Sequence, residues 1–140
     1  MPRVLIVDDH FIVRRGLRRI MEPYREWTYC EADRGEAALV AAAEFNPEVV
    51  VMDVSMPGMG GLKAAEALHA THPGVKIIIL SLHKSSELVR AAFSVGATGY
   101  ILKSSAEDEL IDALTAVIGN ETYVTGLGRA PFTSEISASS

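Results

Sequence analysis

The sequence predicts an α/β fold: a doubly wound, five-stranded parallel sheet in the order 2-1-3-4-5. Two observations predict it. Short continuous runs of β-branched and aliphatic residues alternate five times with longer segments of helical periodicity. Strands joined through crossover helices run parallel, with right-handed connections. A chain of 140 residues with 49% hydrophobic content can bury a core of its own as one domain.

Each element has its own signal. RVLIV (3–7) is a short apolar run, as a strand covered on both faces requires. From Phe11 to Met21 the apolar residues Phe11, Ile12, Leu17, Ile20 and Met21 recur at helical spacing between arginines. Trp27 to Glu31 reads as a weaker second strand. Gly35 to Phe45 is alanine-rich and helical, and Asn46-Pro47 ends it. VVVM (49–52) is the third strand. Pro57-Gly58 and Gly60-Gly61 mark a loop before a helix from Leu62 to Ala70, which His72-Pro73-Gly74 stops. KIIIL (76–80) is the fourth strand. Ser85 to Val95 is a helix with a serine N-cap and Gly96 as its left-handed stop. GYIL (99–102) is the fifth strand, expected at the sheet edge. The last helix spans 106–118, with Leu110, Leu114, Val117 and Ile118 on one stripe. Residues 1–122 are therefore assigned to the folded domain. Residues 123–140, rich in Gly, Ser and Thr and ending in TSEISASS, are assigned to a linker or disordered tail.

Composition excludes several classes. The net charge of −5 leaves no basic face large enough to grip nucleic acid unaided. The single cysteine, Cys30, has no partner for a disulfide and reads as a buried inert thiol in the second strand. No apolar run approaches the ~20 residues of a membrane span, and the chain enters a strand at once without the features of a signal peptide. A cytoplasmic domain without a membrane partner is expected.

Polar residues stand where the apolar runs stop: Asp8-Asp9 after VLIV, Asp53 after VVVM, Ser81 after IIIL and Lys103 after YIL. The carboxyl ends of parallel strands share one rim, where ligands bind. Taken singly, Asp9 is a helix cap, Asp53 a turn carboxylate, Ser81 a strand-end hydroxyl and Lys103 a surface lysine. Together they assemble three carboxylates, a hydroxyl and an ammonium, a set suited to Mg²⁺ and a phosphoryl group. A carboxylate can accept a phosphoryl group directly. Charge-assisted bonds from Ser81 and Lys103 would supply about 3–6 kcal/mol, comparable to the ~5.5 kcal/mol that inverts a 1:99 equilibrium. His10 and His83 flank the pocket without soft-metal spacing, and Met52, Met56 and Met59 read as core or loop fillers.

The segments VLIVDDHFIVRRGL, PEVVVMDVSMPGMGGL, IIILS and GATGYILKSS resemble the receiver domain of two-component response regulators, its NarL/FixJ (LuxR-type) branch in particular, over residues 3–120. The resemblance implies a flavodoxin-like receiver fold with Asp53 as phosphoacceptor. It implies Mg²⁺ held by Asp8, Asp9, Asp53 and the backbone carbonyl of Ser55. Ser81 is then the switch hydroxyl, Lys103 the phosphate-binding lysine and Tyr100 the switch aromatic, with Ser55 and His83 tuning the dephosphorylation rate. Ser104 follows Lys103 where many receivers carry proline, as is common in the NarL branch. The implied partner is a sensor histidine kinase, and phosphorylation would promote homodimerisation through the fourth helix, fifth strand and fifth helix, or through the first and fifth helices. That branch usually continues into a helix-turn-helix domain, expected to be absent from this chain, so that the chain itself binds no DNA. The implied role is a signalling switch controlling transcription, not an enzyme.

Three other readings of the acidic rim fit less well. A haloacid-dehalogenase-type phosphohydrolase also uses Asp and Mg²⁺, but has a D-x-D pair and cap insertions, whereas Asp8 and Asp9 are adjacent. A phosphorylation-independent receiver-like module is disfavoured by the intact acidic set. A flavodoxin-like nucleotide binder lacks its glycine-rich loop after the first strand.

Overall fold

Alternation of side-chain direction along each strand sorts the apolar runs onto the two faces of one sheet. The computed structural model describes residues 2–56 and 58–131; Pro57 and residues 132–140, which include the TSEISASS stretch, lie outside the described residues. The strands are β1 (Arg3–Val7), β2 (Thr28–Ala32), β3 (Val49–Asp53), β4 (Lys76–Ser81), β5 (Gly99–Leu102), β6 (Glu121–Val124) and β7 (Gly128–Pro131). The helices are α1 (Phe11–Met21), α2 (Gly35–Phe45), α3 (Gly61–Thr71), α4 (Ser86–Ser94) and α5 (Ala106–Ile118). The sheet order is β2-β1-β3-β4-β5-β6-β7, parallel throughout except for the antiparallel β6–β7 pair.

Leu5, Val7, Val50, Met52, Ile77, Ile79 and Tyr100 pack with the buried faces of α2, α3 and α4. Val4, Ile6, Val49, Val51, Ile78, Leu80 and Ile101 pack on the other side with α1 and α5. Every residue of β3 is buried, as its unbroken apolar run requires. Ser85 caps α4 by accepting from the Leu88 N–H at 3.1 Å, and Gly96 takes the expected left-handed conformation with φ 107°. Asp9 does not cap α1; His10 occupies that position and makes no side-chain cap bond. Cys30 is only half-buried, because β2 is an edge strand.

The parallel order 2-1-3-4-5 holds, but among the described residues two further strands extend the sheet beyond β5, so Tyr100 lies on an interior strand and not at the edge. Residues 123–131 belong to that sheet, not to a tail. A sixth parallel strand follows a very short return: α5 ends, Asn120 turns the chain at φ 63°, and β6 pairs parallel to β5. The Gly, Thr and Pro content that suggested a linker instead forms a tight hairpin, with Gly126 and Gly128 at φ 85° and 76°. Thr122, Tyr123 and Val124 are buried, and the Tyr123 hydroxyl donates to Glu109 at 2.6 Å, tying β6 to α5. Burial and the Glu109 carboxylate both raise the Tyr123 phenol pKa. Tyr123→Phe removes this bond, and urea unfolding should show a loss of about 1 kcal/mol; an unchanged midpoint would mean that the hydroxyl adds nothing.

Candidate functional site

Strand register sets which rim residues face one another. Val7 pairs with Met52, so the next residues, Asp8 and Asp53, stand side by side. Asp8, Asp53 and Lys103 continue the parity of Ile6, Val51 and Ile101, so all three rise from the α1/α5 face. Ser81 continues the parity of Ile77 and Ile79 and rises from the other face, which it shares with Tyr100.

Asp8 and Asp53 are fully buried. The Lys103 ammonium lies between them, 3.2 Å from Asp8 Oδ2 and 3.1 Å from Asp53 Oδ1. The His10 N–H donates to Asp8 Oδ1 at 2.8 Å and the Ser55 N–H to Asp53 Oδ1 at 3.1 Å. Asp8 Oδ2 and Asp53 Oδ2, both buried, receive no hydrogen bond; Lys103 meets Asp8 Oδ2 as an ion contact without hydrogen-bond angles. Burial pushes the Asp53 carboxyl above its ordinary pKa, outweighing the Ser55 N–H and Lys103, and the charge of Asp8 adds to the rise. Burial works to lower the Lys103 ammonium, but Asp53 and Asp8 together outweigh it, and its pKa is raised.

Asp8, Asp9, His10 and Asp53 each place one potential ligand atom within 4.8 Å of the others. Buried carboxylate oxygens without donors fit a hard divalent cation that takes oxygen ligands and keeps some of its waters. His10 is a member of this cluster that sequence spacing passed over: its Nδ1 lies 3.3 Å from Asp8 Oδ1 and 3.1 Å from Asp9 Oδ1. Ser55 is exposed beside the rim. The buried Ser81 hydroxyl accepts from the His83 N–H at 3.1 Å, and the His83 carbonyl accepts from the buried Tyr100 hydroxyl at 2.6 Å. Ser81 and Tyr100 are thus linked through the His83 backbone, while the His83 side chain is exposed.

Two supports escaped the sequence reading. The Arg14 guanidinium donates to the Asp8 carbonyl at 2.6 Å and to Glu31 at 2.8 Å, bracing β1 against β2. Gly61 begins α3 directly against the backbone of Asp53 and Val54, and its N–H donates to the Val54 carbonyl at 3.2 Å.

The model of the response regulator receiver domain matches residues 4–115. The chain belongs to that family. It is 36% identical over 126 residues to the response regulator GacA of Pseudomonas viridiflava, covering 89% of this chain but 59% of that relative. The receiver spans about three-fifths of the curated relatives' length. Among solved structures, a LuxR-family two-component response regulator from Aurantimonas sp. SI85-9A1 superposes with a TM-score of 0.81 at 33% identity, covering 97% of this chain and 92% of that one. The isolated receiver of RcsB from Salmonella enterica serovar Typhimurium, solved with phosphomimetic BeF3⁻, gives a TM-score of 0.79 at 25% identity, covering 88% of this receiver and 92% of that chain. Receivers of this family are phosphorylation-activated signalling modules rather than enzymes, and the NarL/FixJ resemblance stands. No helix among the described residues is long and apolar enough to cross a membrane.

Proposed function

We propose that this receiver accepts a phosphoryl group on Asp53 from a sensor histidine kinase in the cytoplasm. The observation that carries the reading is the buried Asp53 carboxylate, with Oδ2 free of donors and Lys103 Nζ 3.1 Å from Oδ1. A carboxylate oxygen of Asp53 forms the new bond to phosphorus while the phosphorus–nitrogen bond of the donor histidine breaks, its electron pair returning to the imidazole. Asp8, Asp9, Asp53 and the Ser55 carbonyl would hold Mg²⁺, which when bound supplies positive charge against the phosphoryl oxygens.

Lys103 then serves as the fixed cation on one side of the phosphoryl group. The Ser81 hydroxyl, which accepts from His83, keeps its own hydrogen free to donate to a phosphoryl oxygen. Drawing Ser81 inward drags the His83 backbone, to which the Tyr100 phenol is tied. The charge change at Asp53 thereby reaches the α4–β5–α5 face. The exposed side chains of Ser55 and His83 flank the group and tune water access, hence the lifetime of the acyl phosphate. A homodimer on that face, or on α1 and α5, would carry the signal to a transcriptional output.

The test is direct. Incubated with a small acyl phosphate and Mg²⁺, then trapped by borohydride and mapped, the chain should be modified at Asp53, with its solution mass followed in parallel. Modification should vanish in Asp53→Asn and on chelation of Mg²⁺. Label retained by Asp53→Asn, or found chiefly elsewhere, would refute the assignment.

A further inference from the structure

Thr125 lies beyond the family match at residues 4–115, yet it holds the strand that carries Tyr100 and leads into Lys103. We infer that Thr125 is a positioning residue, fixing the end of β5 through its side-chain hydroxyl so that Lys103 leaves the sheet toward Asp53. The inference rests on the role proposed above for Lys103.

The β5–β6 ladder pairs Gly99 with Tyr123 and Tyr100 with Val124. On the next rung the Thr125 N–H donates to the Tyr100 carbonyl at 2.9 Å. In a regular parallel ladder the Leu102 N–H would then donate to the carbonyl of Thr125 itself. Here the chain turns away at Gly126, with φ 85°, and the Thr125 hydroxyl accepts the Leu102 N–H instead, at 3.0 Å. Thr125 is 8% exposed, so this acceptor is shielded from water. Without it the Leu102 amide becomes an orphan donor.

Leu102 immediately precedes Lys103 and pairs with Ser81 on its other side. The last rung of β5 is therefore clamped between the Ser81 strand and Thr125. From that rung the chain enters a 3₁₀ turn over Lys103–Ser105, and the Lys103 side chain reaches back to Asp8 and Asp53. The same threonine fixes the Tyr100 backbone, whose phenol holds the His83 carbonyl. One threonine on the 121–131 hairpin thus braces both arms of the switch, its hydroxyl holding the Leu102 N–H and its own N–H the Tyr100 carbonyl.

The experiment compares the 140-residue chain with Thr125→Val, Thr125→Ser and Asp53→Asn. Each is titrated with beryllofluoride and Mg²⁺ while the amide resonances and exchange rates of Leu102 and Lys103 are followed. Valine keeps the shape and removes the acceptor; its affinity should fall about three- to tenfold, the worth of one hydrogen bond. Serine restores the acceptor and should bind within about twofold of wild type. Wild-type affinity in Thr125→Val, or an equal loss in Thr125→Ser, overturns the inference while leaving the Asp53 reading intact. Failure of the wild-type chain to bind at all, matching Asp53→Asn, overturns the Asp53 reading instead. Should Thr125→Val not fold, wild type alone decides through reciprocity. Saturation with beryllofluoride must slow Leu102 exchange if that bond aids binding, and unchanged exchange beside a shifted Lys103 sinks the proposal.

Discussion

Lys103→Ala is expected to lower beryllofluoride affinity by about 10- to 150-fold, the range of one charge-assisted bond. Its ammonium is the only cation within 4 Å of both buried carboxylates among the described residues. Removing it leaves Asp8 and Asp53 adjacent and buried, so the variant should also unfold about 2 kcal/mol more easily at neutral pH in chelator, less than a deeply buried pair costs because the rim opens to solvent. Added Mg²⁺ should recover part of that loss. The pH dependence has a definite sign. The Lys103 pKa is raised above 10.5 in the fold, so its stabilisation is complete below about pH 10.5 and is lost as pH climbs through the folded value. Asp53, also raised, acts oppositely: its ionisation costs stability as pH rises from 3.8 through its higher folded pKa. Lys103→Ala should lack the alkaline component. Affinity equal to wild type would remove Lys103 from the site.

Gly61→Ala should cost about 3 kcal/mol and disturb the site from behind. A Cβ at Gly61 would overlap the Asp53 carbonyl oxygen and stand 2.6 Å from Val54 Cα and 2.9 Å from the Asp53 carbonyl carbon. All three are backbone atoms with no rotamer through which to yield, so α3 must shift or the end of β3 must bend. Either movement displaces Asp53, so reduced phosphorylation should accompany the lower urea midpoint. The neighbouring Gly60 offers a control of different origin: its Cβ meets nothing within 4 Å, but its φ of 80° strains any other residue. Gly60→Ala should cost about 1 kcal/mol and leave labelling near wild type. Full stability in Gly61→Ala would show that the β3–α3 junction is softer than its contacts imply.

The α/β alternation was legible because β1, β3, β4 and β5 are covered on both faces and therefore read as unbroken apolar runs. The rim residues were legible for the same reason, since a polar group ending such a run marks where the strand leaves the core. The hairpin 121–131 was not. Its strands are four residues long, β7 is an edge, and its glycines resemble those of a linker. What holds it is Glu109 on α5 and the open side of β5, neither visible from local composition. His10 flanks the pocket in the sequence without soft-metal spacing, and its place in the acidic cluster comes from the turn after β1. Gly61 carried a weak signal, a glycine pair after a strand-end loop, but its need for close approach appears only against the Asp53 backbone.

By itself the sequence determined the parallel architecture through the period of its apolar runs, and the chemistry of the rim through the residues that terminate them. Tertiary structure alone decided that Asp8, Asp53 and Lys103 rise from one face while Ser81 and Tyr100 rise from the other. It also decided that Thr125 closes the ladder. Those outcomes depend on strand register and on where a neighbouring chain segment turns, which are long-range pairings that no local pattern encodes.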